Sequence, residues 1–289
     1  MLWHAPLQNK RGMIGNLDNL LTNPKEQEEN IIMRINKIKK KLKNGERVFG
    51  TMIKEAKNIN ISELLEIAGF DYFVIDMEHA SYDMSDIAGI LQYARKTEIS
   101  SVVRIPRLDY AYVAKALDMG AEGIWAPHLD TVEQAKDLVR FGKYPPEGIR
   151  GAAIPLFRTK EHQEFKQAAD YFRAVNEETL LIAQIECAES IGNVEAITAV
   201  PGIDVAMMGT QDLSLDLGYP GQGTHPEMRA AIQKVVDACM KNGKSSGNHI
   251  ANIDELRYWI GRGMRMITYS YETNMILDRG REVLKLLKA

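Results

Sequence analysis

Short, nearly continuous apolar runs alternate along this chain with longer segments of helical periodicity. Val48–Ile53, Tyr72–Asp76, Ser101–Ile105, Gly123–Ala126, Leu180–Ile185, Val205–Met208, Lys244–Asn248 and Met264–Ser270 each read as a strand. Runs this short and this apolar suit strands buried on both faces. The segments between and after them predict helices over Ser62–Ala68, Ser85–Lys96, Tyr110–Met119, Val132–Phe141, Ile191–Thr198, Pro226–Asn242, Ile253–Arg262 and Glu272–Leu287. A loop, YPPEGIRGAA (144–153), and a polar helix near Glu161–Asn176 interrupt the rhythm. Strict βα alternation implies parallel strands with right-handed crossovers. Eight such units over about 245 residues predict a (β/α)8 TIM barrel. A doubly wound open sheet is the alternative, but no Gly-rich dinucleotide loop follows the first strand.

Residues 1–32 read as an irregular N-terminal extension with some helical character, broken at Gly12, Gly15 and Pro24. Residues 33–289 then form a single barrel domain. A helix is expected over Lys25–Lys43, stopped at Asn44–Gly45. Its basic run KIKKKLK is either an anion patch or a solvated face with Ile35, Ile38 and Leu42 turned inward. The final helix carries Met275, Ile276, Val283, Leu284 and Leu287, an apolar stripe that needs a cover.

Composition changes the picture mainly by exclusion. The 289 residues are 45% hydrophobic and 26% charged, which is ample for a core, and the net charge of −3 implies no general nucleic-acid affinity. Cys187 and Cys239 make neither a disulfide framework nor a metal-ligand spacing, so reduced thiols and a cytoplasmic location are expected. The first residues lack the apolar core of a secretory signal, and no run is long enough to span a membrane.

In a TIM barrel the chemistry sits at the carboxyl ends of the strands. Glu186 and Asp212 follow the fifth and sixth strands. Two such carboxylates repel in one cavity unless a cation neutralises them, and a hard divalent metal takes oxygen ligands. The plainer alternative is that both acids cap the helices that follow. The second strand ends in Asp76-Met77-Glu78-His79, where His79 is either a general base oriented by Asp76 or a locally bonded loop histidine. Arg104 ends a strand that should be buried, so it needs an anionic partner: a substrate oxyanion, or Asp76 or Glu78. Gln184 shares a strand face with Glu186. Gly209, Thr210 and Gln211 lead into Asp212 through a turn whose backbone N–H groups could hold a carboxylate, or that merely joins strand to helix. Trp125 is core if it points outward and a pocket wall if it points inward. His128 is the remaining histidine placed on the rim. No lysine is seen to end a strand there, which disfavours Schiff-base chemistry.

Seven segments carry a resemblance: GFDYFVIDMEHA (69–80), VVRIP (102–106), ALDMGAEGIWAPHLDTVEQA (116–135), KYPPEGIRG (143–151), QIECAESIGNVEAI (184–197), GTQDLSLDLGYPG (209–221) and HPEMRAAI (225–232). In this order and spacing, over roughly 250 residues, the chain resembles the HpcH/HpaI class II aldolases, typified by 4-hydroxy-2-oxoheptanedioate and 2-keto-3-deoxy-rhamnonate aldolases. The resemblance implies a TIM barrel that exchanges its terminal helix between subunits, assembled as a hexamer, a trimer of dimers. It implies a divalent metal, Mg²⁺, Mn²⁺ or Co²⁺, held by Glu186 and Asp212. It assigns His79 and Asp76 to a catalytic dyad, Arg104 and Gln184 to the substrate, and the Gly209–Asp212 turn to the carboxylate of pyruvate. The expected reaction is reversible cleavage of a 4-hydroxy-2-oxo acid to pyruvate and an aldehyde. Its rivals are a citryl- or malyl-CoA-type lyase of the same superfamily and a non-catalytic organic-acid binder. The chain departs from the usual pattern at Thr210-Gln211, at Met52 in place of a Trp, and at Ala126-Pro127-His128.

Overall fold

The structure, a computed structural model, describes residues 33–152, 165 and 167–289. Within it the apolar runs pair as eight parallel strands that close into a barrel, β1 to β8 in chain order, with β8 against β1. They are β1 Val48–Ile53, β2 Tyr72–Asp76, β3 Ser100–Arg104, β4 Gly123–Ala126, β5 Leu180–Ile185, β6 Val205–Met208, β7 Ser245–Ile250 and β8 Met266–Tyr271. The expected TIM barrel is therefore the observed fold. The last two strands run later than expected, because His249-Ile250 and Tyr271 pair although they carry polar or half-exposed side chains.

Two apolar shells explain why the strands read as unbroken hydrophobic runs. Alternate residues point inward, where Met52, Tyr72, Val74, Val102, Trp125, Ile182, Val205, Met207 and Met266 fill the barrel. The residues between them, including Phe73, Ile75, Val103, Ile124, Leu181, Ala183 and Ile185, pack against the surrounding helices. Close approach leaves little slack: a Cβ at Gly50 would lie 2.5 Å from the Tyr72 ring. Tyr72 in turn shares a 2.7 Å hydrogen bond with Thr268 across the interior.

The amino end of the barrel is plugged by the helix Lys37–Lys43, whose Ile38 and Leu42 join the inner shell. Asn36 caps it and bonds the carbonyls of Glu122 and Glu178. The expected helix thus begins at Lys37, with Ile35 exposed; residues 1–32 lie outside the described residues. Capping also shifts the helix after β5. It starts at Ala188, three residues before its first apolar position, because Cys187 and Ser190 form a reciprocal cap. The polar helix expected near Glu161–Asn176 is observed over Ala168–Glu178, and the residues around its expected start lie outside the described ones.

The terminal helix Glu272–Leu287 buries only its first residue. Ile276 is 70% exposed and Leu287 78% exposed. Among the described residues no helix is long and apolar enough to cross a membrane.

The tight inner shell predicts a large effect from a small change. Gly50→Ala should lower the urea midpoint, at a cost of about 1–3 kcal/mol for overpacking a filled interior. A midpoint equal to wild type would show that the Tyr72 ring yields freely.

Candidate active site

The carboxyl ends of the strands frame a cavity of about 170 Å³ lined by Lys54, His79, Arg104, Trp125, Gln184, Met208, Gly209, Thr210, Gln211, Asp212, His249 and Tyr271. Residues at or just past all eight strand ends thus converge at one mouth.

Arg104 is the centre of this mouth. It ends β3 directly opposite Asp76 at the end of β2, and both are buried. Its Nε and Nη2 donate to the two oxygens of Asp76 at 2.9 and 2.8 Å, a fork matched to a carboxylate. Its Nη1 lies 3.1 Å from Glu78 Oε2. Burial alone would raise the Asp76 carboxyl. Hydrogen bonds and charge from Arg104, the His79 backbone N–H and Lys54 outweigh that and hold it below the ordinary value. Glu78 goes the other way. Burial, with the neighbouring charges of Glu186 and Asp76, lifts it to about 7 against the pull of Arg104 and His128.

This pairing changes the expected dyad. Asp76 does meet His79, but through the backbone N–H at 3.2 Å; both carboxylate oxygens are engaged by Arg104. The carboxylate beside the imidazole is Glu78, with 3.7 Å between Oε2 and Nε2. His79 itself is half-exposed on the rim.

On the opposite side a relay of side chains fixes Glu186. The Trp125 indole N–H donates to the Gln184 carbonyl, and the Gln184 amide donates to Glu186 Oε2. Trp125 is thus the inward wall, with the Arg104 guanidinium 5.8 Å from its ring centre. Gln184, expected at the substrate, also positions Glu186. The other Glu186 oxygen accepts the His128 backbone N–H at 2.6 Å, with the His128 ring Nδ1 3.0 Å away. His128 adopts a left-handed backbone, φ 51°, which turns its N–H and its ring toward the same carboxylate. Gly209 must be glycine, because a Cβ there would run into Glu186 Oε2. Asp212 lies in the first turn of the helix Thr210–Asp216, half-buried on the cavity wall.

The acids fit a hard cation. Glu186 is buried beside the like charge of Glu78, whose Oε2 has the Arg104 Nη1 ion pair as its compensation. Oxygen donors are also what Mg²⁺, Mn²⁺ or Co²⁺ accept in such sites. Among the described residues no three His, Cys, Asp or Glu side chains already converge in ligand geometry. Two carboxylates would leave the other coordination positions to substrate and water.

Three residues outside the expected set line or brace the cavity. Lys54 directly follows β1 and lies on the wall, contrary to the expectation that no lysine ends a strand at the rim. Its Nζ is 3.4 Å from Asp76 Oδ2 and 4.6 Å from the centre of the Tyr271 ring, an ion-paired ammonium rather than an amine nucleophile. His249 turns inward from β7, and Glu272 accepts the backbone N–H groups of Lys54, Glu55 and Ala56 at 2.7–3.0 Å. The rule that finds Glu186, an ionisable residue just past an apolar run, also finds Lys54 after Val48–Ile53. Glu272, directly after β8, meets the same rule, but its contacts with the Lys54–Ala56 backbone depend on closure of β8 against β1.

A closed parallel barrel with acids, a histidine and an arginine at its carboxyl mouth is the architecture of a (β/α)8 enzyme. The chain belongs to the HpcH/HpaI aldolase/citrate lyase family, whose profile matches residues 52–278. It is 32% identical over 249 residues to a hydroxypyruvate/pyruvate aldolase of Roseobacter denitrificans, covering 86% of this chain and 96% of that one. It is 36% identical over 186 residues to a 5-keto-4-deoxy-D-glucarate aldolase of Klebsiella pneumoniae, covering 64% and 71% of the two chains. The crystal structure of an HpcH/HpaI aldolase from Desulfitobacterium hafniense superposes with a TM-score of 0.80 at 34% identity, covering 86% and 96%. The expected family and its aldolase class are thereby established.

The raised Glu78 carboxyl has a consequence for the metal-free protein. Between its ordinary value of 4.5 and about 7, the folded state binds more protons than the unfolded state, so stability falls as pH rises through this window. Glu78→Gln should therefore raise the denaturation midpoint at pH 8 relative to wild type, and the gain should vanish near pH 4. An equal difference at both pH values would mean that Glu78 does not titrate in this range.

Proposed function

We propose that the protein is a divalent-metal-dependent aldolase that reversibly cleaves a 4-hydroxy-2-oxo acid to pyruvate and an aldehyde. The observation that carries this reading is Asp212 on the wall of a cavity that Arg104 and His79 also line, with Glu186 buried directly after β5 and bonded to Gln184 of the same wall. Glu186 and Asp212 would hold the cation, which when bound polarises the 2-oxo group and offsets negative charge as the bond breaks.

The chain's own groups divide the remaining work. Arg104, locked by Asp76, presents fixed positive charge to the oxyanion that develops. His79 takes the C4-hydroxyl proton, and the neighbouring Glu78 carboxylate stabilises the imidazolium. Backbone amides of the Gly209–Asp212 turn receive the carboxylate of the 2-oxo acid, as the family resemblance implies. Thr210 contributes a backbone N–H there. Trp125 and Gln184 keep Glu186 oriented and wall the cavity on the β4–β5 side.

The same reading covers assembly. The exposed Ile276, Leu277, Leu284 and Leu287 on the terminal helix support a homo-oligomer in which a second copy covers that helix. A hexamer, built as a trimer of dimers with exchanged terminal helices, is the form that the resemblance implies. Light scattering should give a mass of at least two chains, and a monomer at working concentration would refute this.

Chemistry provides the sharper test. Oxaloacetate decarboxylation generates the same pyruvate enolate with no hydroxyl proton to remove. His79→Ala should slow aldol cleavage by roughly 10²–10⁴ while affecting decarboxylation far less. Glu186→Gln should abolish both, together with Mn²⁺ binding measured by calorimetry. Equal losses in both reactions for His79→Ala, with Mn²⁺ binding intact, would remove His79 as the aldol base. Unchanged Mn²⁺ affinity in Glu186→Gln and Asp212→Asn would remove the metal assignment.

A further inference from the structure

The cavity has two chemically different halves. One half belongs to β4, β5 and β6, with Trp125, Gln184 and the Gly209–Asp212 turn. The strand order places β1 diametrically across the barrel from β5, so Lys54, directly after β1, faces that half, with Tyr271 of β8 beside it and His249 of β7 continuing the arc round to β6. The proposed chemistry assigns these three residues no task.

Each offers a defined group to the cavity. The Lys54 ammonium stands against the Tyr271 ring, and its carboxylate neighbour Asp76 is already bonded on both oxygens by Arg104. Lys54 is thus a second cation on a carboxylate that one cation already satisfies, and an ammonium has three donors to place. Its position is not left to a mobile loop. Glu272, itself buried, accepts three consecutive backbone N–H groups beginning at Lys54. The imidazole of His249 lies 3.0 Å from the Ser270 carbonyl through Nε2. A carbonyl only accepts, so Nε2 carries the proton. Burial, with Arg104 and Lys54 nearby, pushes this histidine down to about 4, so the ring is neutral and its Nδ1 is an acceptor.

We propose that Lys54 and His249 are the specificity-determining residues for the aldehyde partner, Lys54 binding a carboxylate on it and His249 accepting a hydrogen bond from a hydroxyl on it. The inference rests on the aldolase reading above, which places the 2-oxo acid on the β5–β6 half and leaves the facing half to the aldehyde. Uncharged alkyl aldehydes are then poor partners, because they offer the Lys54 ammonium no acceptor beyond Asp76, which Arg104 already engages on both oxygens.

The test compares aldehydes matched in length. Addition of pyruvate to 4-oxobutanoate and to butanal is measured for wild type, Lys54→Met and Lys54→Arg. The expected wild-type ratio of kcat/KM favours 4-oxobutanoate by about ten- to a hundredfold, the range of one charge-assisted hydrogen bond. Lys54→Met should collapse that ratio, and Lys54→Arg should retain most of it. His249→Phe should lower the ratio of glyceraldehyde to propanal in the same way. A wild-type ratio near one overturns the proposal without any variant being needed. So does a Lys54→Met enzyme that loses rate equally with both aldehydes, which would place Lys54 at the reacting centre through Asp76. Oxaloacetate decarboxylation by wild type separates the two levels. If it proceeds and the aldehyde ratio is near one, the specificity assignment fails alone. If it does not proceed and no aldehyde reacts, the aldolase reading fails and the assignment falls with it.

Discussion

The carboxyl mouth of this barrel is organised around the buried pair of Arg104 and Asp76. Neither could stay charged there alone, because an unpaired charge in a dry interior costs several kcal/mol. They end adjacent strands in register, so barrel closure itself brings the fork of Arg104 onto both oxygens of Asp76. Removing either partner would leave the other buried and uncompensated, typically a loss of about 3–5 kcal/mol. Most other features of the mouth follow from that one contact. Asp76 has no oxygen left for the His79 ring, Lys54 is left as a second cation, and Glu78 competes for the third nitrogen of Arg104.

From this follows a division between carboxylates only two residues apart. Asp76 is held below its ordinary value and Glu78 is lifted to about 7. Titratable neighbours whose environments push them in opposite directions are what acid–base chemistry near neutrality requires. The imidazole of His79 stands beside the carboxylate that titrates near neutrality, and the guanidinium is fixed by the one that stays charged. The acid that fixes Arg104 and the acid lifted toward neutrality are thus different residues of a single strand end.

Preorganisation extends outward from there by backbone rather than by side chains. His128 presents its N–H to Glu186 from a left-handed conformation, and Gly209 leaves space for the same carboxylate. Glu272 gathers three backbone N–H groups at the start of the terminal helix. The last contact ties the loop that carries Lys54 to a helix whose outer residues are exposed.

Alternation of buried strands and amphipathic helices was legible residue by residue, because a parallel barrel buries both faces of every strand and imprints that on hydrophobicity. The placement of Glu186, Asp212, Arg104 and His79 at strand ends was legible for the same reason: a polar side chain closing an apolar run is visible in one dimension. Family membership was legible in ordered motifs. Which carboxylate serves which cation was not. Asp76 and Glu78 are equally near Arg104 in the sequence reading, and only the register of β2 on β3 decides that Asp76 takes both hydrogen bonds. The inward turn of Trp125 onto Gln184 and the Glu272 contacts likewise depend on residues 59 and 216–218 positions apart. Periodicity reports how each residue faces its own element. Pairing between elements is set by closure and register, which only the tertiary structure supplies.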